Sequence, residues 1–208
     1  MTEKMDLLVR PAAPDDPCVP LLFESARPYY TAYAGSEQRA LELLHAVYTR
    51  PTHAASYDCC TVACVDGELV GVVAGFPVTS GDRLSRRFIQ LTLPKLPPWR
   101  WWGTFRHLRA AGDVAPRPPA DAYYVDALAV AAGWRRRGIA RQLLDVAHEQ
   151  ARAAGLARLA LDTGLQNTGA RRLYEGYGFG EREIREAPND RTARALGGPG
   201  FVGYLKAV

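Results

Sequence analysis

With 208 residues, 48% of them apolar and 23% charged, the chain has the length and composition of a globular domain with a sizeable core. No apolar run approaches the ~20 residues of a membrane span, and residues 1–6 lack the basic-then-apolar layout of a secretion signal, so a cytoplasmic protein with no membrane partner is expected. The net charge of +4 rests on dispersed arginines, lysine occurring only at 4, 95 and 206, which suits a small polyanionic ligand better than nucleic acid.

Leu7–Arg10 reads as a first strand, stopped by Pro11 and Pro14. Asp15 or Asp16 then caps a helix reaching the 25–33 region, shortened or broken by Pro17, Pro20 and Pro28. Ser36 and Glu37 open a cleaner helix over 38–48, with Ala40, Leu43, Leu44 and Val47 on one face. Thr61–Val65 and Leu69–Ala74 make a hairpin across Asp66-Gly67. Cys18, Cys59, Cys60 and Cys64 lack the spacing of a metal site and have no histidine cluster beside them, so buried free thiols and no metal are expected. His45, His53, His107 and His148 are scattered and read as surface or packing residues.

Residues 77–121 differ in texture. An amphipathic helix fits 83–93, followed by Pro94, Pro97, Pro98, Trp99, Trp101, Trp102 and then Pro116, Pro118 and Pro119. This segment reads as an insertion lying over the core. From 122 the pattern is strand, helix, strand, helix, strand, strand. Residues 122–130 form a strand, and a helix after Gly138 carries Ile139, Leu143, Ala147, Ala151 and Ala154 on one face and stops at Gly155. A strand at 156–161 follows. Asn167 caps a helix presenting Ala170, Leu173, Tyr174 and Tyr177, and strands at 179–184 and 201–208 are joined by a loose segment at 188–200. The expected fold is a single α/β domain over 1–208. It has a mixed, largely antiparallel sheet of six or seven strands, flanked by about four helices.

The stretch Arg135-Arg136-Arg137-Gly138-Ile139-Ala140 joins a strand to a helix N-terminus. Unpaired amides and the helix dipole there make a site for a pyrophosphate. About thirty residues on stands Asn167-x-x-Ala170-x-x-Leu173-Tyr174-x-x-x-Gly178-Phe179. Together with Leu128-Ala129-Val130 and Arg135-x-x-Gly138-x-Ala140, this pattern resembles the two signature motifs of the GNAT superfamily of acyl-CoA-dependent N-acyltransferases. Many members carry proline near 132 and glycine at 136, where this chain has Ala132 and Arg136. Neither change removes a backbone donor.

The resemblance implies acetyl-CoA as co-substrate. Its pyrophosphate would lie on the amides from Arg136 to Arg141, with Arg135 beside them. Its pantetheine arm would lie along Leu128, Ala129 and Val130, and the Leu128 amide would face the thioester oxygen. Asn167 matches a position that contacts the donor and is equally a helix N-cap. Tyr174 matches the residue that protonates the departing thiolate, or else packs on the sheet beside Leu173. A base is needed because an ammonium cannot attack a thioester. Asp126, two residues before Leu128, is the candidate, a structural carboxylate being the alternative. Tyr29, Tyr30 and Tyr33 stand where the acceptor pocket is often walled in this fold, and Trp102 with its neighbours would cover it. The same aromatics equally fit a patch cementing the insertion, or a homodimer contact. The expected activity is transfer of an acetyl group to a primary amine, of a small molecule in preference to a protein, by direct attack in a ternary complex. The alternatives are a protein N-acetyltransferase and a non-catalytic acyl-CoA sensor.

Overall fold

The computed structural model describes residues 6–208. Its backbone is one seven-stranded sheet in the order β1-β2-β3-β4-β5-β7-β6. The chain starts with β1 (Leu7–Pro11) and three helices, α1 (Val19–Ser25), α2 (Arg27–Ala34) and α3 (Glu37–Tyr48). Then come β2 (Cys60–Val65), β3 (Glu68–Pro77), α4 (Val78–Thr92) and α5 (Pro98–Val114). The second half runs β4 (Ala122–Val130), α6 (Ile139–Ala153), β5 (Arg158–Gly164), α7 (Thr168–Tyr177), β6 (Gly180–Glu186), α8 (Asp190–Leu196) and β7 (Gly200–Ala207). Every ladder is antiparallel except β4–β5. The mixed, mostly antiparallel sheet is the architecture expected from the sequence.

Local chemistry accounts for the best-defined joints. Asp66 and Gly67 both take positive φ, 50° and 84°, and bring Val65 opposite Glu68, the geometry that favours Asp-Gly in two-residue hairpins. The Ser36 side chain accepts from the Arg39 amide at 3.3 Å and caps α3. Strand alternation sorts the core onto two faces. Val62, Cys64 and Val72 pack with α1–α3, whereas Ala63, Val65 and Val73 pack with α6 and α7. α6 crosses the sheet so closely that a Cβ on Gly71 would stand 3.0 Å from the Leu143 side chain.

The structure corrects the sequence reading in four places. There are eight α-helices among the described residues rather than about four. Asp16 does not cap α1; its two oxygens bind the Arg10 guanidinium at 2.7 Å each and one takes the Ala13 amide, while the helix starts behind Cys18 with no side-chain cap. Residues 77–121 hold two helices rather than one over 78–114, because the prolines before α5 fall at helix ends, whereas 115–121, with Pro116, Pro118 and Pro119, form neither helix nor strand. Pro77 precedes α4, Pro94 lies in a 3₁₀ turn, and Pro98 is the first residue of α5, where a missing N–H costs nothing. The segment at 188–200 likewise contains α8, capped by Asn189, whose side chain accepts from the Thr192 amide at 2.9 Å.

α5 is held from inside. Thr104 Oγ1 donates to the Tyr33 carbonyl at 2.9 Å, and His107 Nδ1 donates to the Ala195 carbonyl at 2.7 Å. His53 is also fully buried, with Nε2 donating to the Val47 carbonyl and Nδ1 accepting from the Ala55 amide. Burial lowers the proton affinity of both rings, as suits packing residues.

Candidate active site

The site is built where two parallel strands part. β4 and β5 pair only from Ala122↔Arg158 to Val125↔Leu161. Beyond that point β4 stays with β3, and β5 stays with β7. From Asp126 to Val130 the edge of β4 that faces away from β3 therefore has no strand beside it. At the fork, Val125 and Ala127 pair with Gly75 and Ala74, leaving Asp126 as the extra residue of a β-bulge. Bulges re-aim side chains, and this one sits at the floor of a cavity of about 750 Å³.

That cavity gathers Asp126, Leu128, Asn167 and Tyr174 with Tyr29, Tyr30 and Tyr33. Tyr33 contributes only its ring, since its hydroxyl is 2.7 Å from Thr92 Oγ1. Trp102 is a correction. It is 72% exposed and does not line the cavity, because α5 turns Thr104, His107 and Ala111 inward and so points Trp99 and Trp102 to solvent. Phe76 and Phe88, from β3 and α4, provide the aromatic wall in its place.

Two residues that the sequence reading missed complete the floor. Asp162 is the next residue on β5 after the last paired one, as Asp126 is on β4, so both carboxylates enter the fork from neighbouring strands. Tyr124 donates its hydroxyl to Asp162 at 2.5 Å. Burial, and then the charge of Asp162, push the Asp126 carboxyl up to about 7. Asp162 rises to about 6, mainly by burial, with the Tyr124 hydrogen bond pulling the other way.

Tyr174 is 7% exposed and packs edge-on against Phe179 and Tyr204, with ring centroids 6.0 and 5.9 Å away. Burial, and then Asp162, raise its hydroxyl above the usual value. Asn167 is the N-cap of α7: its Oδ1 accepts from the Ala170 amide at 3.2 Å, and its amide nitrogen donates to Thr163 Oγ1. The capping role read from sequence is present, and the same side chain borders the cavity.

At the far end of the open β4 edge lies the loop into α6. Arg136 and Gly138 take positive φ, 62° and 83°. Arg136 is thus an arginine in a glycine-type conformation. Among the described residues, the amides of Arg136, Arg137, Gly138, Ile139 and Ala140 have no backbone acceptor. The arginine side chains leave these amides open. Arg135 Nε donates to the Val130 carbonyl at 3.0 Å, Arg137 lies over Trp134, Arg141 lies over Tyr177, and Arg136 is exposed. Five open amides at a helix N-terminus, with nothing within 4 Å of a Cβ built on Gly138, fit a pyrophosphate.

Residues 19–179 match the family model described as "Acetyltransferase (GNAT) family". The chain belongs to that family. Members use acetyl-CoA as co-substrate, and the open loop and strand edge are suited to it. Among solved structures, an acetyltransferase is similar over 97% of this chain and 99% of its own, with 22% identity and a TM-score of 0.68. An N-acetyltransferase from Staphylococcus aureus Mu50 is similar over 96% and 100%, with 18% identity and a TM-score of 0.67. An agmatine N-acetyltransferase mutant in its apo form is similar over 98% and 100%, with 17% identity and a TM-score of 0.60. At such identities the likeness is one of fold. No curated protein matches the sequence. Among the described residues, no helix is long and apolar enough to cross a membrane, and no group of His, Cys, Asp and Glu is placed to hold a metal. All four cysteines are free.

Proposed function

We propose that the protein is an N-acetyltransferase that moves the acetyl group of acetyl-CoA to a primary amine of a small molecule, by direct attack with both substrates bound. The observation that carries this reading is the fork. One open strand edge leads from the amide-rich loop at Arg136–Ala140 to a cavity floored by an aspartate that titrates near neutrality. The Leu128 amide faces the developing oxyanion, Asp126 accepts the proton of the attacking amine, and Tyr174 stands by the departing sulfur. The acceptor side favours a compact ligand, because α2, α4, α5 and α8 contribute walls around the cavity rather than an open groove.

The reading is tested by following thiol release from acetyl-CoA against a panel of primary amines. Turnover of at least one small amine supports it. A protein that binds acetyl-CoA and turns over no amine is a sensor, and the proposal fails. The donor half has its own test. Gly138→Val places a side chain at φ 83°, at a cost of roughly 1–2 kcal/mol. The expected outcome is a rise of about tenfold in the Kd for CoA, measured by calorimetry. An unchanged Kd would remove the pyrophosphate from this loop.

A further inference from the structure

The cavity holds more acid than one proton transfer needs. Asp126 and Asp162 enter it from adjacent strands at the first unpaired register, so they lie on the same side of the sheet at the mouth of the fork. They differ in support. Asp162 is fixed by the Tyr124 hydroxyl, whereas Asp126 has no hydrogen-bond partner among the described residues and is lifted on a bulge. A pinned carboxylate is a binding group, and an unpinned one is free to take and release a proton. The walls nearby are aromatic faces from Tyr29, Tyr30, Phe76 and Phe88, surfaces that attract organic cations.

We propose that Asp162, pinned by Tyr124, anchors the acceptor's ammonium group, so that the cavity selects acceptors arriving as organic cations and leaves Asp126 to receive the proton. The assignment deepens the N-acetyltransferase reading and rests on it. The physical logic is charge balance. Burial raises the proton affinity of both carboxylates and the charge of Asp162 adds to that of Asp126, so the pair tolerates a net charge of about −1 better than −2. An arriving ammonium supplies the same relief. Once it is seated, its proton moves to Asp126, the N–H bond breaking as the O–H bond forms, and the pair plus ligand keeps its total charge. The freed nitrogen lone pair is then available to the acetyl carbon.

The other groups around the pair do not replace this role. Tyr29 and Tyr30 on α2, Tyr174 on α7, Cys59 before β2 and Cys60 at its start all have raised proton affinities from burial and stay neutral. Glu183 on β6 adds its charge at Asp162 and is occupied by Arg185 and the Arg117 amide. Asp82 and Arg117 border the same cavity with opposite charges.

The test is binding of n-butylammonium to the protein saturated with CoA, which has no acetyl group to transfer, with n-butanol as the neutral control. At pH 8 the ammonium is expected to bind at least about tenfold tighter than the alcohol, since a charge-assisted hydrogen bond contributes roughly 1.5–3 kcal/mol. Its affinity should fall as the pH drops through about 7 and 6, where the pair becomes protonated. Asp162→Asn should lose about tenfold or more, and Asp126→Asn should lose less. Equal binding of alcohol and ammonium, or a larger loss in Asp126→Asn, would overturn the assignment. Should Asp162→Asn not fold, Tyr124→Phe decides. Removing the donor raises the proton affinity of Asp162, so the pH at which cation binding appears must move upward, and an unmoved midpoint refutes the anchor. Because no acetyl transfer is measured, failure here is distinct from failure of the acetyltransferase reading, which would show as absent amine turnover in the native protein.

Discussion

Replacing Asp126 by asparagine is expected to lower kcat/KM by about 10²–10⁴-fold, the range for losing a general base, with CoA affinity unchanged. The magnitude follows from proton affinities. An alkylammonium has a pKa near 10.4, so transfer to an ordinary carboxylate of 3.8 is uphill by more than six units, roughly 9 kcal/mol. With Asp126 lifted to about 7 the gap is about three units, roughly 5 kcal/mol, which is compatible with turnover. In the native protein kcat/KM should therefore fall about tenfold per pH unit below 7, where Asp126 is protonated, and level off above. The variant should lose the limb at 7 and keep only the fall near 6 that Asp162 imposes on cation binding. Stability gives a second readout with the opposite sign. A carboxyl whose proton affinity is raised by folding makes the folded state less stable as the pH climbs from 3.8 to about 7, and that cost persists above. Asp126→Asn should thus melt no lower than the native protein at pH 8, even as activity collapses. A large drop in Tm there would mark Asp126 as a structural carboxylate, the alternative reading of its place in the strand.

The local geometry of the proposed donor half was legible in the sequence because it depends on short segments. Gly138 behind an arginine run, Asn167 as an N-cap and Asp66-Gly67 as a hairpin each depend on the conformational needs of a few consecutive residues. The acceptor half depends on register between distant segments. Asp162 meets Asp126 only because β4 and β5 are parallel neighbours that separate after Val125 and Leu161, and no residue pattern states where two strands will part. Nor does the sequence say that β7 inserts between β5 and β6. Trp102 was misplaced for a different reason. The prolines around Trp99–Trp102 read as breaks, although Pro98 starts a helix, and in the phase of that helix small and polar residues face inward while tryptophans face out.

Tyr174→Phe is expected to lower kcat by about 10–10²-fold, less than the loss of a full acid catalyst. The hydroxyl is buried and near Asp162, so its proton affinity is raised above that of a free tyrosine, near 10. A thiol of pKa about 8.5 is the stronger acid, so complete transfer from Tyr174 to the departing sulfur is uphill. What the tyrosine offers is a hydrogen bond to a sulfur that gains negative charge, a charge-assisted contact of roughly 1.5–3 kcal/mol, which sets the expected factor. Three consequences separate a donor of hydrogen bonds from an acid. First, the native pH–rate profile should show no alkaline decline up to about pH 9.5, because the group stays protonated there. Second, acyl donors with a more acidic leaving thiol should be less sensitive to the substitution, since their sulfur needs less stabilisation. Third, the KM for acetyl-CoA should change little, because the interaction strengthens only as the carbon–sulfur bond breaks. An alkaline limb below pH 9 that disappears in Tyr174→Phe would show instead that the tyrosine gives up its proton outright, and that burial does not hold its hydroxyl in the neutral form.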